Sequence, residues 1–367
     1  MINFYNIFKI NFLFIFIVAL LSFIGFAALY SAGDGSIYPW AINHLIRFSI
    51  FMVLLIFISI IDIKIIYKYS YFIFFIFLIL LFSVEIIGSF GKGAERWIKI
   101  FGISIQPSEL IKISIILALG KFYNDLRFDQ IGKLYNLIVP FLIILFSFFL
   151  ILAQPDLGTS LSVILLGLGI MFIAGVKLWK FFIGFFLLLI SFPFLWSNIK
   201  PYQQKRIISF LNPESDPLGQ GYQLIQSKIA LGSGALTGKG FLNGSQSYLE
   251  YLPEKQTDFI FTLIGEEFGF IGSIFVIFLF LILILIAFYI HIKTIHVFGK
   301  IVCLGVAINL FISVITNTAM VTGLMPVVGL PLPLVSYGGT ALLSIMISFG
   351  LLLNIEIHAN YKKLKNA

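Results

Sequence analysis

The sequence has few of the residues that build disulfides, metal centres and nucleotide sites. Its 367 residues include a single cysteine, Cys303, inside an apolar run, which excludes a disulfide framework and a thiolate metal site. The four histidines lie scattered at the ends of apolar runs, without metal-ligand spacing. No P-loop or dinucleotide fingerprint occurs. Any phosphate chemistry must therefore use side-chain cations or a bound divalent ion.

Charge is also scarce. Only 11% of the residues are charged, against roughly 25% in soluble domains, whereas 60% are hydrophobic and the mean hydropathy is +1.07. The apolar runs approach or exceed the roughly 20 residues that a helix needs to cross a bilayer. This length excludes the short alternating strands of an outer-membrane barrel. The composition predicts an all-α polytopic membrane protein.

We predict about ten transmembrane helices in a single membrane domain that covers residues 1–367. The apolar run after Lys9 is too long for a signal peptide and lacks a cleavage site, so it counts as the first span. Because lysine and arginine concentrate in alternate loops, we expect both termini in the cytoplasm. A large structured extracytoplasmic loop, about 198–258, then separates spans seven and eight. The predicted spans are 10–30, 44–62, 70–88, 106–122, 135–153, 158–175, 179–197, 259–289, 299–321 and 335–357.

Two charges mark the start of the fourth span. Glu109 and Lys112 are three residues apart, and Pro107 suits the first turn of a helix, so both side chains share one face. We expect them to pair and to face a polar cavity rather than lipid. The sequence leaves two roles open, a structural ion pair and direct contact with a phosphate-bearing substrate.

A second acidic region lies at the entrance to the eighth span. Pro253 suits the first helical position, which predicts Glu254 in the first turn and Asp258 one turn further on the same face. A neighbouring carboxylate and partial desolvation raise the proton affinity of an acid, as a general base requires. The alternative is a helix cap at Glu254 and a hydrogen-bonded, buried Asp258.

Other polar residues have simpler interpretations. Asp156 is predicted to cap the sixth span, and the adjacent Glu266 and Glu267 are interpreted as structural. The proline- and glycine-rich segment 325–339 must have irregular backbone that lines protein or a cavity. Basic residues such as Arg96, in the predicted external loop before span four, are either solvated or anion-binding groups.

Several segments together resemble the SEDS family of bacterial cell-wall glycosyltransferases. They are GAERW at 93–97, FGISIQPSELIKI at 101–113, QPDLGT at 154–159, LNPESDPLGQGYQLIQSKIALGSGALTGKG at 211–240, LPEKQTDFIFTLIGEEFGFIG at 252–272 and GLMPVVGLPLPLVSYGGT at 323–340. The resemblance covers essentially all of the chain beyond the first two spans. The sequence of residues 214–240 and 327–339 resembles the RodA elongation branch rather than the FtsW division branch.

The resemblance implies a peptidoglycan glycosyltransferase that polymerises lipid II into β-1,4 glycan and releases undecaprenyl pyrophosphate, for cell elongation and rod shape. It implies a class B penicillin-binding protein as partner, within an elongation complex in the bacterial cytoplasmic membrane. The family's essential acid corresponds to Asp258, and Arg96, Trp97 and Lys112 fall on positions implicated in activity or in the central cavity. Gln256 stands where members often have histidine, so a proton relay through that histidine is absent.

The chemistry gives these residues expected roles. Asp258 would deprotonate the acceptor hydroxyl, while Arg96, Lys112 and a divalent cation, Mg²⁺, would stabilise the departing pyrophosphate. Glu109 is included among the substrate-binding candidates. Lys228 and Lys239 are candidates for binding the pyrophosphate of the acceptor. The alternative is that they are solvated or contact lipid headgroups.

Two other functions stay open at this level. A lipid II flippase would also combine many spans with intramembrane charges and proline-broken segments, although the charges here cluster at one face. A non-catalytic scaffold for a cell-wall complex would tolerate neutralisation of Asp258.

Overall fold

The computed structural model describes residues 11–87, 89–91, 94–100, 103–198, 201–216, 219–245 and 252–360. Helices dominate these residues, and three short strands lie between the third and fourth helices. The helices are α1 (Phe12–Ala32), α2 (Trp40–Ile60), α3 (Ile63–Ile87), α4 (Pro107–Asp125), α5 (Leu134–Ala153), α6 (Leu157–Ile173), α7 (Leu178–Asn198), α8 (Pro201–Leu211), α9 (Gln220–Ser233), α10 (Ile260–Lys293), α11 (Val297–Thr322) and α12 (Gly339–Ile357). The strands are β1 (Ser89–Gly91), β2 (Ala94–Ile100) and β3 (Ile103–Ile105).

The helices confirm an all-α polytopic membrane protein. Within the described residues, seven helices are long and apolar enough to cross a bilayer, namely α1, α2, α3, α5, α10, α11 and α12. The helix α6 and the described part of α7 are shorter apolar helices. Each of the ten predicted spans falls on a helix, and the number of crossings stays a prediction.

The segment before α4, predicted only as a loop, forms a small antiparallel sheet in the order β1-β2-β3. Phe90 pairs with Glu95, and Lys99 pairs with Ser104. Isoleucines at alternate positions of β2 and β3 have the two-residue period of a strand. This period was missed because the surrounding helical pattern is much longer.

The helix α4 lies at the centre of the bundle. Nearly every residue from Pro107 to Gly120 is buried, so the helix is enclosed on all sides rather than on one stripe. Its glycine allows a close approach to α11, because a methyl group at Gly120 would lie 3.1 Å from a methyl carbon of Val302. A central helix that contacts no lipid can carry polar side chains into the protein interior.

The proline-rich loop, residues 323–338 between α11 and α12, is irregular and enclosed by helices, as predicted. Gly25 of α1 faces the backbone of Val335, and Gly158 of α6 faces the carbonyl of Val328. In both places a methyl group would come within 3 Å of loop atoms. Two helices therefore contact this loop closely through positions that lack a side chain.

The helices α2 and α12 are joined by hydrogen bonds and by close packing. Nδ2 of Asn354 donates to the carbonyls of Ile58 and Ile61 at the end of α2, at 2.9 and 2.6 Å. One turn earlier, a methyl group at Gly350 would lie 2.9 Å from the carbonyl oxygen of Leu55. The contact therefore requires glycine at position 350.

We expect Gly350→Leu to lower the thermal midpoint in detergent, because overpacking a tight contact costs about 1–3 kcal/mol. Gly184→Leu is the matched control, since no atom lies within 4 Å of the added carbon in α7. Equal midpoints for the two variants would contradict the close α2–α12 contact.

Candidate functional site

Asp258 lies in a chain of turns that precedes α10. Its side chain is half-buried, and a methyl group added at Gly329 would come within 3.4 Å of its Oδ2. Its backbone carbonyl accepts a hydrogen bond from Nδ2 of Asn317, at 2.9 Å. The same amide nitrogen donates to the carbonyl of Leu330 at 2.8 Å. A single side chain from α11 thus joins the acid's backbone to the proline-rich loop.

The loop also binds the two residues before the acid. The hydroxyl of Ser336 donates to the carbonyl of Thr257 at 2.6 Å, and the amide of Tyr337 donates to the carbonyl of Gln256 at 2.9 Å. The Ser336 oxygen also accepts from the amide of Leu332, at 2.8 Å. The backbone from Gln256 to Asp258 is therefore held at three successive carbonyls.

An ion pair between a buried lysine and an exposed aspartate fixes the start of this segment. Lys255, three residues before Asp258, is buried, and its Nζ lies 3.2 Å from Oδ1 of Asp34 in the turn between α1 and α2. The Asp34 carboxylate is 42% exposed. Desolvating a lysine requires such a partner. The pair ties the acid-bearing turns to the N-terminal helices.

The predicted span 259–289 starts within one residue of α10, but the predicted helical first turn at Pro253 and Glu254 was wrong. The helix α10 begins at Ile260, and residues 253–259 form turns. Glu254 has φ +72°, which lies in the left-handed region and interrupts a right-handed helix. Its carboxylate accepts from the hydroxyl of Thr257 at 3.2 Å. Glu254 is therefore not in the first turn of α10.

The predicted pair at the start of α4 is confirmed. Nζ of Lys112 lies 2.9 Å from Oε1 of Glu109, and the two side chains are only 3% and 8% exposed. They line a cavity of about 340 Å³, which includes its open part. The opposite wall is the proline-rich loop, at Leu330, Pro331 and Pro333, while α11 and α12 contribute Asn309, Ser313, Ala341, Ser344 and Ile345. The loop that lines this cavity is the one that holds Asp258.

Asp156 caps α6, as predicted. Its carboxylate accepts from the amide of Thr159 at 3.2 Å and from Nε2 of Gln106 at 3.1 Å. The amide of Gln106 donates to the hydroxyl of Thr340 at 3.1 Å. These bonds join the beginnings of α4, α6 and α12 around the cavity.

The other predicted residues lie in different surroundings. Lys239 forms an ion pair with the fully buried Glu266 at 2.7 Å, and Ser31 donates to the neighbouring Glu267. Lys228 is exposed and lies beside Gly323, at the end of α11. Trp97 is half-buried in β2, where its backbone pairs with that of Ser89. The side chain of Arg96 lies outside the described residues.

Sequence reasoning missed the residues that position the acid. Asn317 and Ser336 bind the backbone near Asp258, and Lys255 pairs its turn with Asp34, but none was a predicted site residue. Asn317 had a usable signal, because an amide in the middle of an apolar span needs an internal partner. The partners of Ser336 depend on the loop's path, which no local pattern specifies.

The described residues contain no group of three histidine, cysteine, aspartate or glutamate side chains placed to hold a metal. They do not fit a metal held by protein ligands alone. Magnesium keeps several waters and is bound through one or two carboxylates and substrate phosphates. A divalent ion at this site would depend on a phosphate group brought by the substrate.

Comparison with known proteins gives the family. The family model for FtsW, RodA and SpoVE, described as cell cycle protein, matches residues 5–361. The chain belongs to this family. Its resemblance to the SEDS glycosyltransferases is confirmed over almost the whole length, including the first two spans. The peptidoglycan glycosyltransferase MrdB of Escherichia coli K12 is 43% identical over 282 residues, which are 76% of this chain and 75% of MrdB.

Solved structures of family members have the same fold. A chain of a peptidoglycan synthase complex, studied for its coordination of polymerization and crosslinking, is 29% identical and superposes with a TM-score of 0.81. The match covers 96% of this chain and 98% of that one. The rod shape determining protein RodA of Thermus thermophilus is 25% identical, with a TM-score of 0.70, over 96% and 98% of the two chains.

Removing one member of the Glu109–Lys112 pair tests whether it is structural. We expect Lys112→Met to destabilise the protein by about 3–5 kcal/mol, because a buried carboxylate loses its partner. The double variant Glu109→Gln/Lys112→Met should recover most of this loss, as measured by thermal midpoints in detergent.

The control for the pair is Lys205→Met, because Lys205 is 67% exposed and its ion pair with Asp216 is worth at most about 1 kcal/mol. If the double variant regained stability but not activity, the pair would have a substrate role as well. A Lys112→Met midpoint no lower than the control's would contradict a buried, mutually dependent pair.

Proposed function

We propose that this membrane protein is a peptidoglycan glycosyltransferase that polymerises lipid II into β-1,4 glycan strands and releases undecaprenyl pyrophosphate. Family membership and the named activity of MrdB support this reaction. The observation that carries the proposal is the arrangement of Asp258, whose backbone is fixed by the loop that lines the Lys112 cavity. The relationship to MrdB and to RodA supports a role in cell elongation and rod shape.

The reaction needs one base and one group of positive charges. The 4-hydroxyl oxygen of the acceptor sugar bonds to the anomeric carbon of the donor as the bond to pyrophosphate breaks, which inverts the α linkage to β. Asp258 takes the hydroxyl proton. Lys112 and Arg96 stabilise the charge that collects on the leaving pyrophosphate. Glu109 holds Lys112 in place, and Trp97 lies in the same strand as Arg96.

A fixed backbone suits a base of this kind. A carboxylate that must meet a hydroxyl gains from being held in one geometry before the substrate arrives. Three backbone carbonyls of residues 256–258 are bonded to α11 and to the proline-rich loop. These bonds therefore restrain the backbone that carries the carboxylate.

Magnesium is proposed as the divalent cation, carried by the pyrophosphate of lipid II. When bound there it would neutralise negative charge on the leaving group. The protein contributes Lys112 and Arg96 to the same task. Lys228 and Lys239 remain proposals for the acceptor's pyrophosphate, although the ion pair of Lys239 with Glu266 favours a structural role for that lysine.

The reaction face is proposed to be extracytoplasmic, with both termini in the cytoplasm. Positive-inside bias supports this orientation, because most lysines fall in the loops that lie on the same side of the membrane as the two termini. A class B penicillin-binding protein is the proposed partner. The likeness to a chain of a peptidoglycan synthase complex supports an assembly of this type.

Neutralising the acid tests the assignment. We expect Asp258→Asn to leave folding and lipid II binding intact and to abolish glycan formation, because the amide cannot accept the proton. Purified protein, its class B partner and Mg²⁺ would be incubated with fluorescent lipid II, and products separated on a gel. Asp129→Asn, an exposed carboxylate in the loop before α5, is the matched control.

Native-rate polymerisation by Asp258→Asn would overturn the catalytic role. If neither the wild type nor the variant forms glycan, while both are folded and bound to the partner, the glycosyltransferase proposal fails. A leaflet-exchange assay with fluorescent lipid II would then test the flippase hypothesis.

Chelation tests the proposed metal. We expect EDTA to stop polymerisation and added Mg²⁺ to restore it, whereas the thermal midpoint of the substrate-free protein should not change. The reason is that the described residues supply no metal cage of their own. A midpoint that falls in EDTA would instead indicate a metal bound by the protein, and undiminished polymerisation in EDTA would exclude the metal from the reaction.

A further inference from the structure

Arg47 is an intramembrane cation that the proposed mechanism does not use. It lies seven residues after the start of α2, or about 10 Å along the helix. On one side it flanks the exposed apolar stripe of Ile46, Ile50 and Val53, and on the other it faces α12. The side chain is half-buried. Arg47 therefore stands at the border between lipid and protein.

Its guanidinium contacts the proline-rich loop. The central carbon lies 5.0 Å from the ring centre of Tyr337, and Nη1 lies 3.2 Å from the position of a methyl group at Gly339. The amide of Tyr337 bonds to the carbonyl of Gln256. Arg47 is thus at the same end of the bundle as Asp258. Tyr337 connects them, because its ring contacts Arg47 and its amide bonds to Gln256, two residues before the acid.

Within the described part of the chain, no carboxylate pairs with Arg47 and none of its five N–H groups makes a hydrogen bond. The Tyr337 ring supplies only the face of an aromatic system, which does not engage the in-plane donors of the guanidinium. A charged side chain in a membrane span is costly unless it is paired or solvated. The planar fork of a guanidinium matches the geometry of a phosphate group, which membrane lipids carry.

The position of Arg47 is distinct from the Lys112 cavity. Ala341, Ser344 and Ile345 of α12 line that cavity, whereas Gly339 faces Arg47. At 100° per residue, each of the three lies at least about 120° around the helix from Gly339. Lys112 and Arg47 therefore approach the proline-rich loop from different sides of α12.

We propose that Arg47 forms a second phosphate-binding subsite, which takes the phosphate of a lipid on the α2 side of the proline-rich loop. Its occupant rests on the proposed function, because a polymerase must hold two lipid-linked pyrophosphates, one on the donor and one on the acceptor. The same chemistry would bind the phosphate of an ordinary anionic phospholipid. The two sources are distinguished by experiment.

The test measures lipid binding without turnover. Full-length protein carrying Asp258→Asn would be titrated with undecaprenyl pyrophosphate and, separately, with phosphatidylglycerol, and the bound fraction read by native mass spectrometry. We expect Arg47→Gln in this background to bind undecaprenyl pyrophosphate about tenfold more weakly, the loss of one charge-assisted contact. Arg47→Lys, which keeps the charge but not the fork, should lose less.

The matched control is Lys293→Gln. Lys293 also lies over an aromatic ring, that of Tyr289 at 4.3 Å, but at the far end of α10 from Asp258. Its loss should not change the affinity for either lipid. Tyr337→Leu separates a structural contact from binding, because it removes the ring while leaving the Arg47 donors in place.

A selective loss of undecaprenyl pyrophosphate binding supports a substrate subsite, and an equal loss of both lipids supports a phospholipid subsite. Unchanged affinity for both lipids in a folded Arg47→Gln variant overturns the proposal, as does a loss matched by Lys293→Gln. If Arg47→Gln does not fold, the other two variants decide. The proposal is overturned when Arg47→Lys binds both lipids with unchanged affinity and Tyr337→Leu fails to fold, because Arg47 then has a structural role. Lipid binding is measured without catalysis. A failed polymerisation assay would therefore reject the proposed function but not the Arg47 subsite.

Discussion

The fixed contact between the proline-rich loop and the turn that carries Asp258 is the constraint on which the site depends. Asn317 joins the Asp258 and Leu330 carbonyls, and Ser336 joins the loop to Thr257. Irregular backbone at membrane depth is stable only when its polar groups find partners inside the protein. The bonds that satisfy the loop are the same bonds that place the acid. Stability and function therefore depend on one set of contacts.

Polar residues elsewhere follow the same rule. The Glu109–Lys112 pair and the Asp156 cap lie in the protein interior with their partners, and the fully buried Glu266 is paired with the half-buried Lys239. The lipid-facing surfaces of α2, α5 and α10 are apolar instead. Glycines at close contacts let the loop enter between helices. A central helix that carries a buried ion pair, neighbouring helices and one enclosed loop together form the cavity, and the same loop holds Asp258.

Much of this organisation was predictable from the sequence. Long apolar runs specified the helices, and the three-residue spacing of Glu109 and Lys112 specified their pair. The turns before α10 were not predictable, because Pro253 favours a helical first turn and the left-handed Glu254 is stabilised by contacts of the folded chain. The partners of Asn317 and Ser336 were equally hidden, since they join residues 59 and 79 positions apart. Local patterns predict elements, whereas tertiary contacts decide which polar atoms meet.

Asn317 is expected to act on catalysis through the position of Asp258. The most direct measurement is the single-turnover rate of glycosidic bond formation in wild type and Asn317→Leu, with lipid II affinity measured in parallel. We expect a slower rate at unchanged affinity for Asn317→Leu. A full rate in a folded Asn317→Leu variant, or a loss of lipid II affinity that accounts for the whole rate loss, would contradict this role.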